Sequence, residues 1–347
     1  MKNYLLYVGS ICVVLAFCIE TQAYILDEYT QYIPLLGQNS TDQVQVISGP
    51  FETAMNRGGT PGRVWNASLG GVPFKISIEN ACSNVVSLDF AQGEAEKIPQ
   101  MYRKAFNVVS DPDEDGMAYY DDIGGAAAHG GKEYLNMVKG VGAYVIIHEA
   151  GHILEQYANE KSPNLSSGWP AAITNDGVSI SRYGNGAWWE DLAEYARTYA
   201  LALEAGMDQV FKLKGQTPNR FVLWEKILRY SGAALTNMTP VINGQTNCVV
   251  YEGPFTVSYT ANGIDPEAVY FHVSNLPTST TMNTVANSLT LDFSATPHAD
   301  YQFTVDIYNK YYPPLTDSLD VKVKLIPEPT SAGIFLAGIA MLFIRKK

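Results

Sequence analysis

Histidine is scarce in this chain, five in 347 residues. Basic residues are also few: 23 Lys and Arg stand against 35 Asp and Glu, and the formal net charge is −12. Such an excess of acid cannot neutralise a phosphate backbone, which argues against nucleic acid as a partner. Charged residues of both signs make up only 17%, while aromatics reach 12% with 22 tyrosines. That balance suits an exported globular protein better than a disordered one. Cysteine is nearly absent. Of the four, Cys12 and Cys18 lie close to the N-terminus, leaving Cys82 and Cys248. In an oxidising compartment these two can pair, and two free buried thiols fit the sequence equally well, since no spacing rule ties them.

Against that scarcity, two of the five histidines stand together in His148-Glu149-Ala150-Gly151-His152. The flanking Val145, Ile146, Ile147, Ile153 and Leu154 predict a buried helix. Histidines four residues apart lie one turn apart on the same helical face, so both imidazoles can reach one zinc ion. Glu149, beside the first, can act on a water held by the metal. The bare pattern also occurs in proteins that bind no metal.

A catalytic zinc needs a third protein ligand and an open position. The metzincin continuation is missing, with Glu155 where its glycine would stand and Ala158 where its third histidine would stand. His129, His272 and His298 have no motif around them. A second helix offers carboxylates instead: in Trp188-Trp189-Glu190-Asp191-Leu192-Ala193-Glu194-Tyr195-Ala196-Arg197, Glu190 and Glu194 share a face. Two carboxylates there repel each other unless a cation compensates. The alternative is a solvated acidic face, against which the flanking tryptophans and the Ala and Leu run argue.

The order H-E-x-x-H, then Ser181-Arg182-Tyr183-Gly184-Asn185-Gly186, then Glu190-Asp191-Leu192-Ala193-Glu194 resembles the gluzincin metallopeptidases. The nearest sub-pattern is that of the catalytic domain of anthrax toxin lethal factor and its small bacterial relatives. The resemblance covers roughly 142 to 200 and points to a zincin without pointing to a substrate. It implies His148, His152 and Glu190 as zinc ligands, Glu149 as general base, and Tyr183 as donor to the oxyanion of the tetrahedral intermediate. Glu194 matches a second acidic residue that supports the site. Leu192 replaces the usual phenylalanine, and the asparagine lies two after Tyr183 rather than nearer the acidic helix. Either Asp191 or Glu194 can accept from the other ring nitrogen of a ligand histidine.

The two ends read as sorting signals. Lys2, the apolar run Tyr4 to Cys18 and the polar stretch to Ala23 form a secretory signal peptide over 1–23. Phe17 is too bulky for a lipoprotein site at Cys18. At the other end Pro327-Glu328-Pro329, a thirteen-residue apolar run from Ala332 to Ile344 and Arg345-Lys346-Lys347 resemble a PEP-CTERM sorting signal, here 327–347. The run is shorter than the roughly 17–25 residues of an ordinary spanning helix, and the basic tail stays cytoplasmic. The resemblance implies an exosortase-type partner, transient insertion in the inner membrane of a Gram-negative bacterium, and delivery to the cell surface or extracellular matrix. An ordinary C-terminal anchor is the alternative.

Between the signals the expected fold is an α+β zincin-like metallopeptidase domain, 24–233, followed by an all-β immunoglobulin-like sandwich domain, 236–326. Alternation predicts strands at 44–46 and 74–78, and a helix is expected over 94–107. Then come Ala118-Tyr119-Tyr120, a Gly/Ala stretch to Gly131, the two motif helices and a helix over 219–230. An edge strand that aligns substrate is expected near 117–124. The second region shows five alternating segments, at 255–259, 271–273, 289–293, 303–307 and 319–325, separated by turn residues. It reads as a stalk between enzyme and anchor.

Asp111-Pro112-Asp113-Glu114-Asp115-Gly116, with Asp122 at position twelve, matches the opening of an EF-hand-type calcium loop. Proline at position two and the lack of flanking amphipathic helices favour a solvated acidic turn over Ca2+. Two function classes follow. One is an exported zinc endopeptidase that hydrolyses peptide bonds of surface or extracellular proteins. The other is a catalytically degenerate surface or biofilm-matrix adhesion protein on a zincin scaffold.

Overall fold

A computed structural model describes residues 24–233, 241, 242, 244, 246–251, 254–258, 269–285, 288–310 and 312–326. The expected signal peptide and sorting signal lie outside the described residues. Among the described residues no helix is long and apolar enough to cross a membrane.

A short helix, α1 (Ile25–Tyr29), and a 3-10 turn lead into three antiparallel strands, β1 (Val44–Ala54), β2 (Pro61–Leu69) and β3 (Val72–Glu79). The β2–β3 connection is Gly70-Gly71, with φ of 56° and 80°, the backbone that a two-residue hairpin turn demands and that glycine adopts without a steric penalty. Helices α2 (Leu88–Glu96) and α3 (Lys104–Val108) follow, then strands β4 (Met117–Tyr120), β5 (Ala128–Gly131) and β6 (Tyr134–Val138). The six strands form one mixed sheet in the order β1-β2-β3-β4-β6-β5. Its middle, β3-β4-β6, is parallel, and β4 is buried at every position, as expected of an interior parallel strand covered on both faces.

Two expectations are corrected here. The helix predicted over 94–107 is broken: α2 ends at Glu96 and α3 starts at Lys104, with Pro99 and a 3-10 turn, Gln100–Arg103, between them. Proline lacks an N–H and drives the preceding residue out of the helical region. The edge strand expected at 117–124 is interior, because β4 pairs with β3 on one side and β6 on the other. On this side of the sheet the edge is β5, in the Gly/Ala stretch, whose small residues carry little strand signal, and β1 is the other edge.

Five helices complete the region: α4 (Ala143–Lys161), α5 (Trp169–Asp176), α6 (Trp188–Ala205), α7 (Met207–Gln216) and α8 (Pro218–Tyr230). The expected helix over 219–230 is α8. One hydrophobic cluster joins sheet and helices, running from Phe74, Ile76 and Met137 through Ile146, Ile147 and Leu154 to Tyr195, Tyr199 and Trp224.

The rest is mostly β: β7 (Asn247–Tyr251), β8 (Pro254–Ser258), β9 (Val269–Ser274), β10 (Thr281–Val285), β11 (Ser288–Asp292), β12 (Asp300–Asn309) and β13 (Tyr312–Ile326). They form a three-stranded sheet, β10-β11-β8, and a four-stranded one, β7-β13-β12-β9. The five alternating segments fall on strands within the described residues, Tyr259 lying outside them, and β7 and β10 are additional. Leu289 and Leu291 from the first sheet and Phe271, Val305, Ile307, Val321 and Val323 from the second belong to one buried cluster. At the junction with the helices Phe211 of α7 stacks on His272 at 4.2 Å between ring centroids, with Tyr308 at 5.1 Å. Tyr270 donates its hydroxyl to Asp208, 2.8 Å away. Cys82 and Cys248 are free thiols; Cys82 is buried, with its Sγ 3.3 Å from the Glu79 carbonyl.

Candidate metal centre

Helix α4 carries the H-E-x-x-H residues, and its start is set from outside the helix. Gly142 at the N-cap offers no side chain, and Glu94 of α2 accepts from the Ala143 N–H at 2.6 Å, satisfying one of the orphan donors of the first turn. A Cβ on Gly142 would come within 2.9 Å of that carboxylate. From there eleven residues of α4 are buried, including His148, Glu149 and Gly151.

Helix α6 crosses α4 at the motif, and Gly151 is what lets it approach. A Cβ there would lie 2.7 Å from the Ala196 Cβ and 3.1 Å from the Ala193 Cα. The small residues on both helices bring Glu190 and Glu194 up to the histidines. Glu190 Oε2 stands 3.2 Å from His148 Nε2 and 3.5 Å from His152 Nε2. One ligand atom each from His148, His152 and Glu190 lies within 4.8 Å of the others, a group able to hold a metal ion. His129, His272 and His298 stand outside it.

The two acidic residues that share a face of α6 take different places. Glu190 faces both imidazoles, whereas Glu194 is buried behind them and takes His148 Nδ1 at 2.7 Å. An ionised carboxylate only accepts, so Nδ1 donates to Glu194, and Nε2 is the nitrogen turned toward Glu190. Arg197 also holds Glu194, with Nη2 2.5 Å from each oxygen. Asp191, the other candidate partner for a ligand histidine, points elsewhere. It accepts from Trp169 Nε1 at 2.9 Å and from Arg220 Nη1 at 3.0 Å. Arg220, with no exposed surface, also binds Asp176 at 2.9 Å and the Val178 carbonyl at 2.7 Å. This buried network pins the first turn of α6 to α5 and α8, so Asp191 supports the helix that carries Glu190 rather than a histidine.

The electrostatics follow the geometry. Burial pulls the His148 pKa down, but Glu190 and Glu194 on its two ring nitrogens outweigh it and raise the pKa to about 9. The same histidines hold the Glu190 carboxyl well below its ordinary range. Burial raises Glu149, opposed by His148 and His152 and by the Gly130 N–H. Gly130 lies on edge strand β5, which packs so closely on α4 that a Cβ there would be 2.5 Å from the Glu149 carbonyl oxygen.

Tyr183 belongs to the same surface. Its ring lies 5.7 Å from the His148 ring, and 62% of the residue is exposed. Partial burial and the carboxylates of Glu190, Glu149 and Glu194 keep its hydroxyl protonated to higher pH. The chain is held there by a 3-10 turn, Gly184–Gly186, whose first N–H donates to Ser181 Oγ at 2.9 Å.

The acidic loop is not gathered as a metal site among the described residues. Lys75 Nζ fills the place a cation would want, donating to the carbonyls of Asp111 at 2.8 Å, Pro112 at 3.0 Å and Glu114 at 2.8 Å. Asp115 is taken by the Asn56 N–H and the Tyr120 hydroxyl, at 2.8 and 2.6 Å, and Asp122 caps its own turn through the Gly124 N–H. Gly116, which reads as the calcium-loop glycine, instead allows the Lys75 backbone within 2.5 Å of where its Cβ would be. Sequence reasoning missed Arg197 and the Gly130 contact. Arg197 is legible as a cation three residues after Glu194 on one helical face; Gly130 has no local signal.

No protein-family model matches the sequence, and no curated protein matches it. Among solved structures, one similar chain is a nucleoside hydrolase-related hypothetical protein from Saccharophagus degradans associated with carbohydrate metabolism. The two are 10% identical with a TM-score of 0.24, and the match covers 56% of this chain and 50% of that one. A likeness that slight carries no argument about fold or activity, and the functional reading rests on the His148, His152 and Glu190 group.

Proposed function

We propose that the protein is an exported zinc endopeptidase of the gluzincin type, with a zincin-like catalytic domain and an immunoglobulin-like stalk. The observation that carries this reading is the convergence of His148, His152 and Glu190 within 4.8 Å, with Glu149 between the histidines in sequence. The donor set suits zinc: two imidazoles and one carboxylate are a usual catalytic triplet. Glu194 turns His148 so that Nε2 faces the site. A zinc ion held there supplies Lewis acidity to the scissile carbonyl and lowers the pKa of a water toward ~7.

The protein's own groups do the rest. Glu149 takes a proton from the attacking water and returns it to the leaving amine, and the rise in its pKa from burial brings it closer to the working pH of such a base. Tyr183, exposed and beside the His148 ring, donates to the oxyanion as the carbonyl carbon becomes tetrahedral. The signal peptide and the PEP-CTERM-like tail support surface delivery, where the substrates are extracellular or surface proteins.

The test is zinc stoichiometry and casein cleavage measured together on wild type and Glu149→Ala. One zinc in both with cleavage by wild type alone is the expected result, with a loss of at least about a thousandfold in the variant. Absence of zinc from the wild type would overturn the proposal and leave the adhesion-protein reading.

A further inference from the structure

The metal-facing histidine is oriented by a chain of contacts that reaches beyond Glu194. Arg197, three residues further along α6, places Nη2 2.5 Å from both oxygens of Glu194. That leaves Glu194 Oε1 in line with His148 Nδ1 at 2.7 Å. The guanidinium is itself held from the other helix: its carbon lies 4.0 Å from the ring centroid of Tyr144, four residues before His148 on α4. Its Nε is buried and makes no hydrogen bond to the described residues. The Tyr144 face and the Glu194 carboxylate are thus what fix the guanidinium. A stacked, planar guanidinium suits this place better than an ammonium, because it holds its donors in a rigid fork while resting on an aromatic face.

We propose that Arg197, clamped between Tyr144 and Glu194, is a positioning residue that sets the ring orientation of His148 and thereby the metal affinity of the site. The inference rests on the zinc reading but concerns a residue outside the ligand set. With Arg197 removed, the Glu194 carboxylate keeps only the Ser181 side chain beside His148, and the acceptor that selects the His148 tautomer is held less firmly. Outer contacts of this kind typically change metal affinity by about 10–100-fold.

The experiment compares full-length wild type, Arg197→Met, Arg197→Lys and Tyr144→Leu. Zinc affinity is read by chelator competition, ligand geometry by the visible spectrum of the cobalt-loaded protein, and folding by circular dichroism of the metal-free form. Arg197→Met is expected to weaken zinc binding about 10–100-fold and alter the cobalt spectrum, with metal-free helicity unchanged. Arg197→Lys, which keeps the charge without the fork, is expected between the two, and Tyr144→Leu is expected to weaken binding in the same direction. Wild-type affinity and spectrum in a folded Arg197→Met protein would overturn the proposal while leaving the zinc reading intact. Should Arg197→Met not fold, wild-type metal behaviour in folded Arg197→Lys and Tyr144→Leu would overturn it equally. A wild type that binds no zinc would overturn both.

Discussion

Around α4 and α6 the protein buries charge, while across the described residues of the C-terminal sheets it buries almost none. His148, Glu149, Glu155, Asp191, Glu194 and Arg220 are all buried in the first region, and Thr296 and Asn309 are the buried polar residues of the described part of the second. The β region needs only alternation: Leu289 and Leu291, or Val321 and Val323, point inward because every second residue of a strand does. In the helical region Asp191 and Glu194 are matched by Arg220 and Arg197, and Glu155 is held by the neutral Ser166 and Asn159 side chains, since a buried ion without partners costs several kcal/mol. The difference separates a scaffold from a site. Burial of apolar area is sufficient for the first, whereas the second holds ionic groups that cost stability unless they are paired and hydrogen-bonded.

The comparison breaks most completely at Gly151. Gly151→Val should abolish zinc binding, because no side chain fits against Ala193 and Ala196 without separating the helices that bring Glu190 to the histidines. Equilibrium dialysis against zinc checks this, and retained stoichiometric binding would show that the helix approach is not what builds the site. Next in size is Arg220→Met, which leaves Asp176 and Asp191 buried without their shared cation. It should cost about 3–5 kcal/mol in urea unfolding of the helical region, and a loss below about 1 kcal/mol would mean that the network is structurally idle.

Acidity sharpens the comparison by about tenfold per pH unit. In the metal-free protein His148 keeps its proton up to about 9, so its contribution to stability is fully present below about 6.5 and lost as the pH rises through about 9. Metal uptake has the opposite sign, because the ion must expel that proton. Zinc affinity should therefore fall as the pH drops below about 9, which calorimetry in buffers of different ionisation enthalpy would count as released protons. Proton release near zero at pH 7 would contradict it. The smallest effect is at the junction. Phe211→Ala removes the ring that stacks on His272 and meets Tyr308, and should cost about 1–2 kcal/mol. Differential scanning calorimetry is expected to resolve two transitions in the variant where the wild type shows more overlap. An unchanged trace would mean that the two regions melt independently already.

The site was more legible than the sheet that supports it. Helical periodicity places the two histidines on one face of α4 and Glu190 and Glu194 on one face of α6, while Glu190 as ligand and Glu149 as base are what the gluzincin resemblance implies. The six-stranded order was not legible, because β2, β5 and β6 carry weak alternation and β5 is built on Ala128, Gly130 and Gly131. For Asp191 and the acidic loop the sequence leaves two readings open, for one reason. A carboxylate looks alike in sequence whether it faces a metal or another donor: Asp191 is taken by Arg220, and in the acidic loop Asp115 and Asp122 take N–H and hydroxyl donors while Lys75 binds the loop's backbone carbonyls.

What the sequence by itself determined is whatever depends on spacing along one element: His148 and His152 on one face of α4, Glu190 and Glu194 on one face of α6, and the inward residues of β11, β12 and β13. Only the tertiary structure decided which carboxylate faces the imidazoles, which one backs His148, and that Arg197 and Tyr144 hold it in place. Those choices depend on the crossing of α4 and α6 at Gly151, and a crossing is set by packing between residues distant in the chain, which no local period encodes.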